Sequence, residues 1–232
     1  GGGQTFARQA PQTHEIRNPL AAITQAAALL DEDLSDPAQR RLLGLVAQNA
    51  RRLSRIVDDV LDVARVREQR VTLPGERIPL DATVHALAGE WTRQAQCAGV
   101  RLSLEAAGRH VAFDAEHLRR ILVNLLDNAA RYASDRAGSI EVATRTGARG
   151  EASLHVWSDG APLEPAVQRH LFEPFFSSES RSSGLGLFLC RELCARHGAT
   201  IGYERRALAA DGPEGNQFLI GFADAAQSAS GG

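Results

Sequence analysis

The string His14-Glu15-Ile16-Arg17-Asn18-Pro19-Leu20 places an imidazole beside a carboxylate just ahead of a proline. A neutral imidazole is a fair nucleophile near pH 7, and an adjacent carboxylate can take its proton or fix its tautomer. Farther along, Asn124 and Asn128 stand four apart beside the apolar stripe Leu118, Ile121, Leu122, Leu125, Leu126 and Ala129. Gly184-Leu185-Gly186-Leu187 opens a helix-like segment, where glycines let backbone amides approach phosphate oxygens with the helix dipole assisting. Singly, each has a bland reading: a solvated histidine, two surface amides, a pair of loop glycines. Their chemistry depends on the elements that hold them.

The first 31 residues contain a heptad seam, with Ile16, Leu20, Ile23, Ala27 and Leu30 alternating spacings of four and three. Asp36 is placed to cap, and Pro37 to open, a second helix with the seam Leu43, Val46, Ala50, Leu53, Val57, Val60 and Ala64. Two seams joined by a short connection predict an antiparallel hairpin, and two hairpins pair into a four-helix bundle, so a homodimer is expected. On this register His14 and Asn18 fall off the seam, one turn apart on a shared face flanked by Glu15 and Arg17. Pro19 removes a backbone hydrogen bond and bends the helix just after them.

Residues 70–77 contain Pro74 and Gly75 and read as a linker. From Ile78 on, the pattern predicts helices over 80–98, 115–133 and 185–197, with strands over 100–105, 110–113, 139–146, 152–158, 200–205 and 216–222. Strand runs with segregated helices imply an α+β sandwich rather than a parallel sheet. The domain expectation is therefore a hairpin domain (1–69), a linker (70–77), an α/β sandwich domain (78–224) and a tail (225–232).

Composition narrows the classes. The net charge is −2, and no basic run with interleaved aromatics occurs, which sets nucleic acid aside. All 26 basic residues are Arg, which removes P-loop, protein-kinase-fold and Schiff-base chemistry, each needing a lysine amine. The three cysteines, Cys97, Cys190 and Cys194, lack metal or disulfide spacing and fit a reducing cytoplasm, with Cys190 and Cys194 sharing a buried helix face. His85, His110, His117, His155, His170 and His197 also lack metal-ligand spacing. With no stretch of transmembrane length, Gly1–Gly3 at the start and no Met, the sequence reads as an excised cytoplasmic fragment. Any sensor or membrane segment is then expected upstream.

The string from His14 to Leu20 resembles the H-box of two-component sensor histidine kinases. Asn124-Leu125-Leu126-Asp127-Asn128-Ala129-Ala130-Arg131-Tyr132 resembles the N-box of the kinase and gyrase-type (GHKL) ATPases, Leu171-Phe172-Glu173-Pro174-Phe175-Phe176 the F-box, and Gly184–Leu187 the G2 box, with Ser182 where a leading Gly is usual. The boxes stand in family order from about His14 to Phe222. The resemblance implies that His14 accepts the γ-phosphoryl group of ATP, assisted by Glu15. Glu15 and Asn18 match the phosphatase motif, whose amide orients a water toward a partner's phosphoaspartate. Asn128 becomes the ligand of a Mg²⁺ ion, to which carbonyl oxygens are suited. Asn124 and Arg131 line the phosphate end, and Tyr132 closes the N-box. Phe172 anchors one end of a polar lid (177–183), and Gly184, Leu185 and Gly186 cradle phosphate. Arg120 stands where related ATPases often carry a catalytic Glu. The H-box wording and short lid are most similar to the kinases that regulate pili and nitrogen response.

The G1 box departs from the pattern. The family reads Asp-x-Gly-x-Gly after a strand, its Asp accepting from the adenine amino group; here the segment is Ser158-Asp159-Gly160-Ala161-Pro162. Matching Gly160 to the first glycine puts Ser158 at the Asp position and Pro162 at the second Gly. Shifting by one gives Asp159 the role but leaves no glycine in place and turns the strand's side chains over; the first register is preferred. Replacing a charge-assisted bond by a neutral one costs roughly 1–2 kcal/mol, and Pro162 fixes φ and lacks a donor. Trp157 either crowds the base or is plain core. The resemblance thus implies a histidine kinase core using ATP and Mg²⁺, passing phosphate to a response-regulator receiver domain. The altered G1 box keeps a pseudokinase scaffold or a phosphatase-only module as the alternative.

Overall fold

A computed structural model describes residues 13–68, 76–95, 99–176 and 184–223, with the backbone alone for 13–16. The two long helices are α1 (Thr13–Asp33), with Pro19 inside it, and α2 (Pro37–Glu68). Asp36 caps α2 as its type predicts, accepting from the Ala38 N–H at 3.0 Å. The helices pack along Ala27 and Ala50, both buried, where small side chains let the backbones approach. Part of each expected seam stays in the open. Ile23 and Leu30 of α1, and Val46, Leu53 and Val60 of α2, are 41–52% exposed in the single chain.

The rest comprises β1 (Arg77–Pro79), α3 (Leu80–Ala95), β2 (Val100–Leu104), β3 (His110–Ala112), α4 (Ala115–Tyr132), β4 (Ile140–Thr146), β5 (Ala152–Ser158), α5 (Pro165–Arg169), α6 (Gly186–Arg196), β6 (Thr200–Ala207) and β7 (Glu214–Gly221). A five-stranded sheet runs β2-β4-β5-β7-β6, parallel at β2–β4 and antiparallel elsewhere, and β1 with β3 forms a small second sheet. One sheet face, with Val142, Leu154, Val156, Phe218 and Ile220, packs against the apolar stripes of α3, α4 and α6. The sandwich expected from sequence is thus observed. β1 falls within and just after the stretch read as linker, and α5 falls in a stretch left unassigned; each is a few residues long and carries no periodic signal. Residues 69–75, most of the expected linker, lie outside the described residues, as do Cys97 and the lid Ser177–Ser183.

Candidate nucleotide and phosphoacceptor site

The alternation of β5 settles which way the G1 segment faces. Leu154, Val156 and Ser158 point to the helix-covered face, where Leu154 and Val156 are core. The pairing register sets Ser158 opposite Ile140 of β4 on one side and Asn216 of β7 on the other, and Asn216 in turn opposite Arg205 of β6. Ser158, Asn216 and Arg205 therefore make a polar row at one end of an otherwise apolar face, with Tyr203 on the diagonal. Trp157 lies on the other face: its indole N–H donates to the Arg206 carbonyl at 3.0 Å and its ring covers Gly215, where a Cβ would fall 2.3 Å from it. It is packing across the sheet and does not crowd the inner face.

The polar row holds the loop that follows Ser158. Arg205 Nη1 donates to the Gly160 carbonyl at 2.6 Å, and Asn216 Nδ2 donates to the Ala161 carbonyl at 2.8 Å. Asn216 Oδ1 accepts from Tyr203 Oη at 2.6 Å and from Arg205 Nη1 at 3.2 Å. Two successive loop carbonyls, those of Gly160 and Ala161, are held by β6 and β7. Asp159 turns away: its carboxylate accepts from the Ser134 N–H at 2.8 Å and the Ser134 hydroxyl at 2.5 Å, closing the turn after α4. Gly160 sits against α4, where a Cβ would come 2.9 Å from the Tyr132 carbonyl.

α4 organises the remainder. Its N-cap Asp114 accepts from the His117 N–H at 2.9 Å, and its core residues Leu118, Ile121, Leu122, Leu125 and Leu126 are fully buried. Asn124 and Asn128 are half-buried on an adjacent stripe. Asn124 Oδ1 lies 3.5 Å from where a Cβ on Gly186 would be, so the first turn of α6, whose leading amides have no carbonyl one turn back within the helix, faces the N-box. The buried Cys190 thiol on the next turn of α6 faces the Ile121 carbonyl of α4 at 3.9 Å. Between the two asparagines, Asp127 accepts from the Trp91 indole N–H of α3 at 2.8 Å. Gly184 has φ +71, and a Cβ there would fall 2.7 Å from the Phe175 backbone, so this position demands glycine. Leu185, 2% exposed, anchors the turn, and Phe172 packs edge-on against Phe218 at 6.3 Å. Arg131 is exposed and Tyr132 half-buried at the end of α4.

One contiguous strip thus runs from Gly186 past Asn124 and Asn128 to Tyr132, Gly160 and Ser158. From Asn124 to Tyr132 is about 12 Å of helix at 1.5 Å per residue, a span suited to a nucleoside triphosphate lying along α4. The amide oxygens of Asn124 and Asn128 beside a helix N-terminus suit a hard divalent cation shared with phosphate. His14 and Glu15 stand in the first turn of α1, and their side chains lie outside what is described; Asn18 is exposed one turn on. Next to them Arg17 is paired with Asp58 of α2 at 2.7 Å. Arg120 of α4 makes an ion pair with Asp62, one turn beyond Asp58 on α2. Motif reading missed Asn216, Arg205 and Tyr203, whose part depends on strand register rather than on any local string.

The architecture is that of a phosphoacceptor hairpin followed by a GHKL-type ATPase sandwich. Residues 13–69 match the family model for the His Kinase A (phospho-acceptor) domain, and residues 113–225 match that for the histidine kinase-, DNA gyrase B- and HSP90-like ATPase. The chain is 34% identical over 197 residues to the sensor protein kinase PilS of Pseudomonas aeruginosa, covering 83% of this chain and 37% of that protein. To the sensor protein SrrB of Staphylococcus aureus it is 25% identical over 198 residues, 82% of this chain and 34% of the other. Among solved structures, full-length ShkA in complex with AMPPNP superposes with a TM-score of 0.62 at 23% identity, covering 92% of this chain and 45% of that one. The Acinetobacter baumannii histidine kinase AdeS gives 0.58 at 23%, covering 90% and 97%; both likenesses concern the fold. The chain belongs to the sensor histidine kinase family. It spans a little over a third of the length of the curated relatives it matches.

Proposed function

We propose that the chain is the autokinase core of a two-component sensor, using Mg²⁺-ATP to phosphorylate His14 and passing the phosphoryl group to a receiver-domain aspartate. An imidazole nitrogen of His14 bonds to the γ-phosphorus as the bond to the β-bridging oxygen breaks, ADP leaves, and Glu15 takes the imidazole proton. Transfer then breaks the N–P bond and forms an acyl phosphate on the aspartate. A bound Mg²⁺ supplies charge neutralisation at the phosphates. The chain's own part is positioning: Asn124 and Asn128 orient the phosphate end and Gly184–Gly186 present backbone amides. The observation carrying this reading is the approach of Asn124 to Gly186, which brings the N-box and the second glycine box to one spot. By the same reading the working unit is a homodimer, the domains divide near 69 and 78, and the core acts in the cytoplasm. The test is incubation of the chain with γ-labelled ATP and Mg²⁺. Acid-labile phosphate lost in His14→Gln is expected; none on the wild type would overturn it.

A second reading draws on Ser158 and Pro162, which replace the residues expected at the adenine end. In it ATP binds weakly and the core serves as a scaffold or as a phosphatase through Glu15 and Asn18. Accelerated loss of phosphate from a phosphorylated receiver domain, abolished in Asn18→Ala, with no His14 labelling, would favour it.

A further inference from the structure

We propose that the nucleotide site reads the purine edge with a hydroxyl that both donates and accepts, and so takes 6-oxopurine triphosphates about as well as 6-aminopurine ones. This rests on the proposed reading that the base lies at Ser158, and it names a substrate class for that site. The other polar groups beside Ser158 at the inner end of β5 are already engaged. Asp159 has both carboxylate oxygens engaged by Ser134. Asn216, 6% exposed, is engaged at both ends of its amide, donating to the Ala161 carbonyl and accepting from Tyr203 and Arg205. The Arg205 guanidinium is committed to the carbonyls of Gly160 and Glu214 as well as to Asn216. Ser158 is 5% exposed, and none of the side-chain hydrogen bonds among the described residues engages its hydroxyl.

The chemistry of the position follows from that isolation. A carboxylate accepts hydrogen bonds and donates none, so a site built on one selects a 6-amino group and repels a 6-oxo group. A serine hydroxyl holds one donor and two acceptor lone pairs and rotates to suit its ligand. It accepts from a 6-amino group or donates to a 6-oxo group with the same atom in the same place. Because the Gly160 and Ala161 carbonyls are held by Arg205 and Asn216, Asp159 cannot swing inward to restore the carboxylate without breaking its bonds to Ser134 and reversing the strand's facing. Sites that hydrogen-bond one substrate group discriminate by leaving their polar atoms unpaired with the other; here neither ligand leaves Ser158 unpaired.

ITP differs from ATP at this edge alone, with oxygen for the amino group at C6 and a proton on N1, which makes it the probe. Calorimetric titration of Mg²⁺-ATP and Mg²⁺-ITP into the full chain is expected to give affinities within about tenfold of each other. Ser158→Asp is expected to shift the ratio toward ATP by at least about tenfold. Ser158→Ala guards against a misfolded Asp variant, and it should weaken both nucleotides by a similar factor. A wild-type preference for ATP of a hundredfold or more would overturn the proposal while leaving the nucleotide site in place. Binding of neither nucleotide would remove the site reading itself and the proposal with it.

Discussion

His197 shows how a side chain with no part in the chemistry still sets the working range of the fold. It caps the end of α6, stacks 4.1 Å from the Phe113 ring, and shares a 2.8 Å contact between its Nε2 and the Nδ1 of His117. Burial, and then the positive charge His117 would carry, push its pKa down from 6.5 to about 4. The unfolded chain protonates this group below about 6.5, while the folded chain resists until about 4, so the unfolded state binds more protons across that window. Stability is therefore expected to fall as pH drops from 6.5 toward 4. Urea midpoints measured over that range should decline less steeply in His197→Phe; an unchanged slope would show that the pair does not govern it. At the nucleotide end, Asn128→Ala should lower His14 phosphorylation on the order of a hundredfold while leaving the thermal midpoint in place, because Asn128 is half-buried and outside the apolar core. Near-normal labelling by that variant would remove Asn128 from the site.

At the scale of elements, the hairpin carries the clearest unmet demand. Val46, Leu53 and Val60 recur at intervals of seven along α2 and stay exposed, with Ile23 and Leu30 alongside on α1. A stripe of that length needs a partner, and a second copy supplies the same stripe. Leu53→Glu should weaken self-association by roughly two orders of magnitude, since an unpaired carboxylate buried in a bundle costs several kcal/mol. Sedimentation analysis checks this, and an unaltered dimer would place the interface elsewhere. The same hairpin shows what a sequence makes legible. Heptads, the Asp36 cap and the stripe of α4 are local periodic signals, so those elements were readable directly. The boxes at His14, Asn124 and Gly184 were readable as strings. The hold of Arg205 and Asn216 on the Gly160 and Ala161 carbonyls was not, because it exists only through the registers β5–β7 and β7–β6. Nor was the facing of Trp157, which two readings fitted until β5 was paired.

For the whole molecule the question is how the hairpin and the sandwich bear on each other. The last turns of α2 lie against α4 and α6: Val66 is buried in the main core, Arg67 sits 5.5 Å over the Phe188 ring and 4.0 Å from Glu192, and Asp62 pairs with Arg120. Asp58, which pairs with Arg17, is one turn back along α2, so the docking patch adjoins the stretch that carries His14. Arg120 is in turn one turn before Asn124, which ties the docking contact to the proposed phosphate end of the site. On the proposed autokinase reading, a phosphoacceptor and an ATP site on separate elements must meet for transfer and part for product release, so the contact should be weak enough to break. Its composition fits: partly exposed ion pairs contribute about 0.2–1 kcal/mol each, and the apolar share rests on Val66 with Val63 beside it. Asp62→Ala is therefore expected to raise amide hydrogen exchange in residues 60–68 and in α6 several-fold without lowering the protection of the β4–β5 core. High salt should produce the same pattern in the wild type. Asp62→Arg combined with Arg120→Asp should restore protection toward the original level if the two charges act as a pair. Equal exchange in all these forms would mean that the apolar contacts of Val63 and Val66 alone hold the docked arrangement.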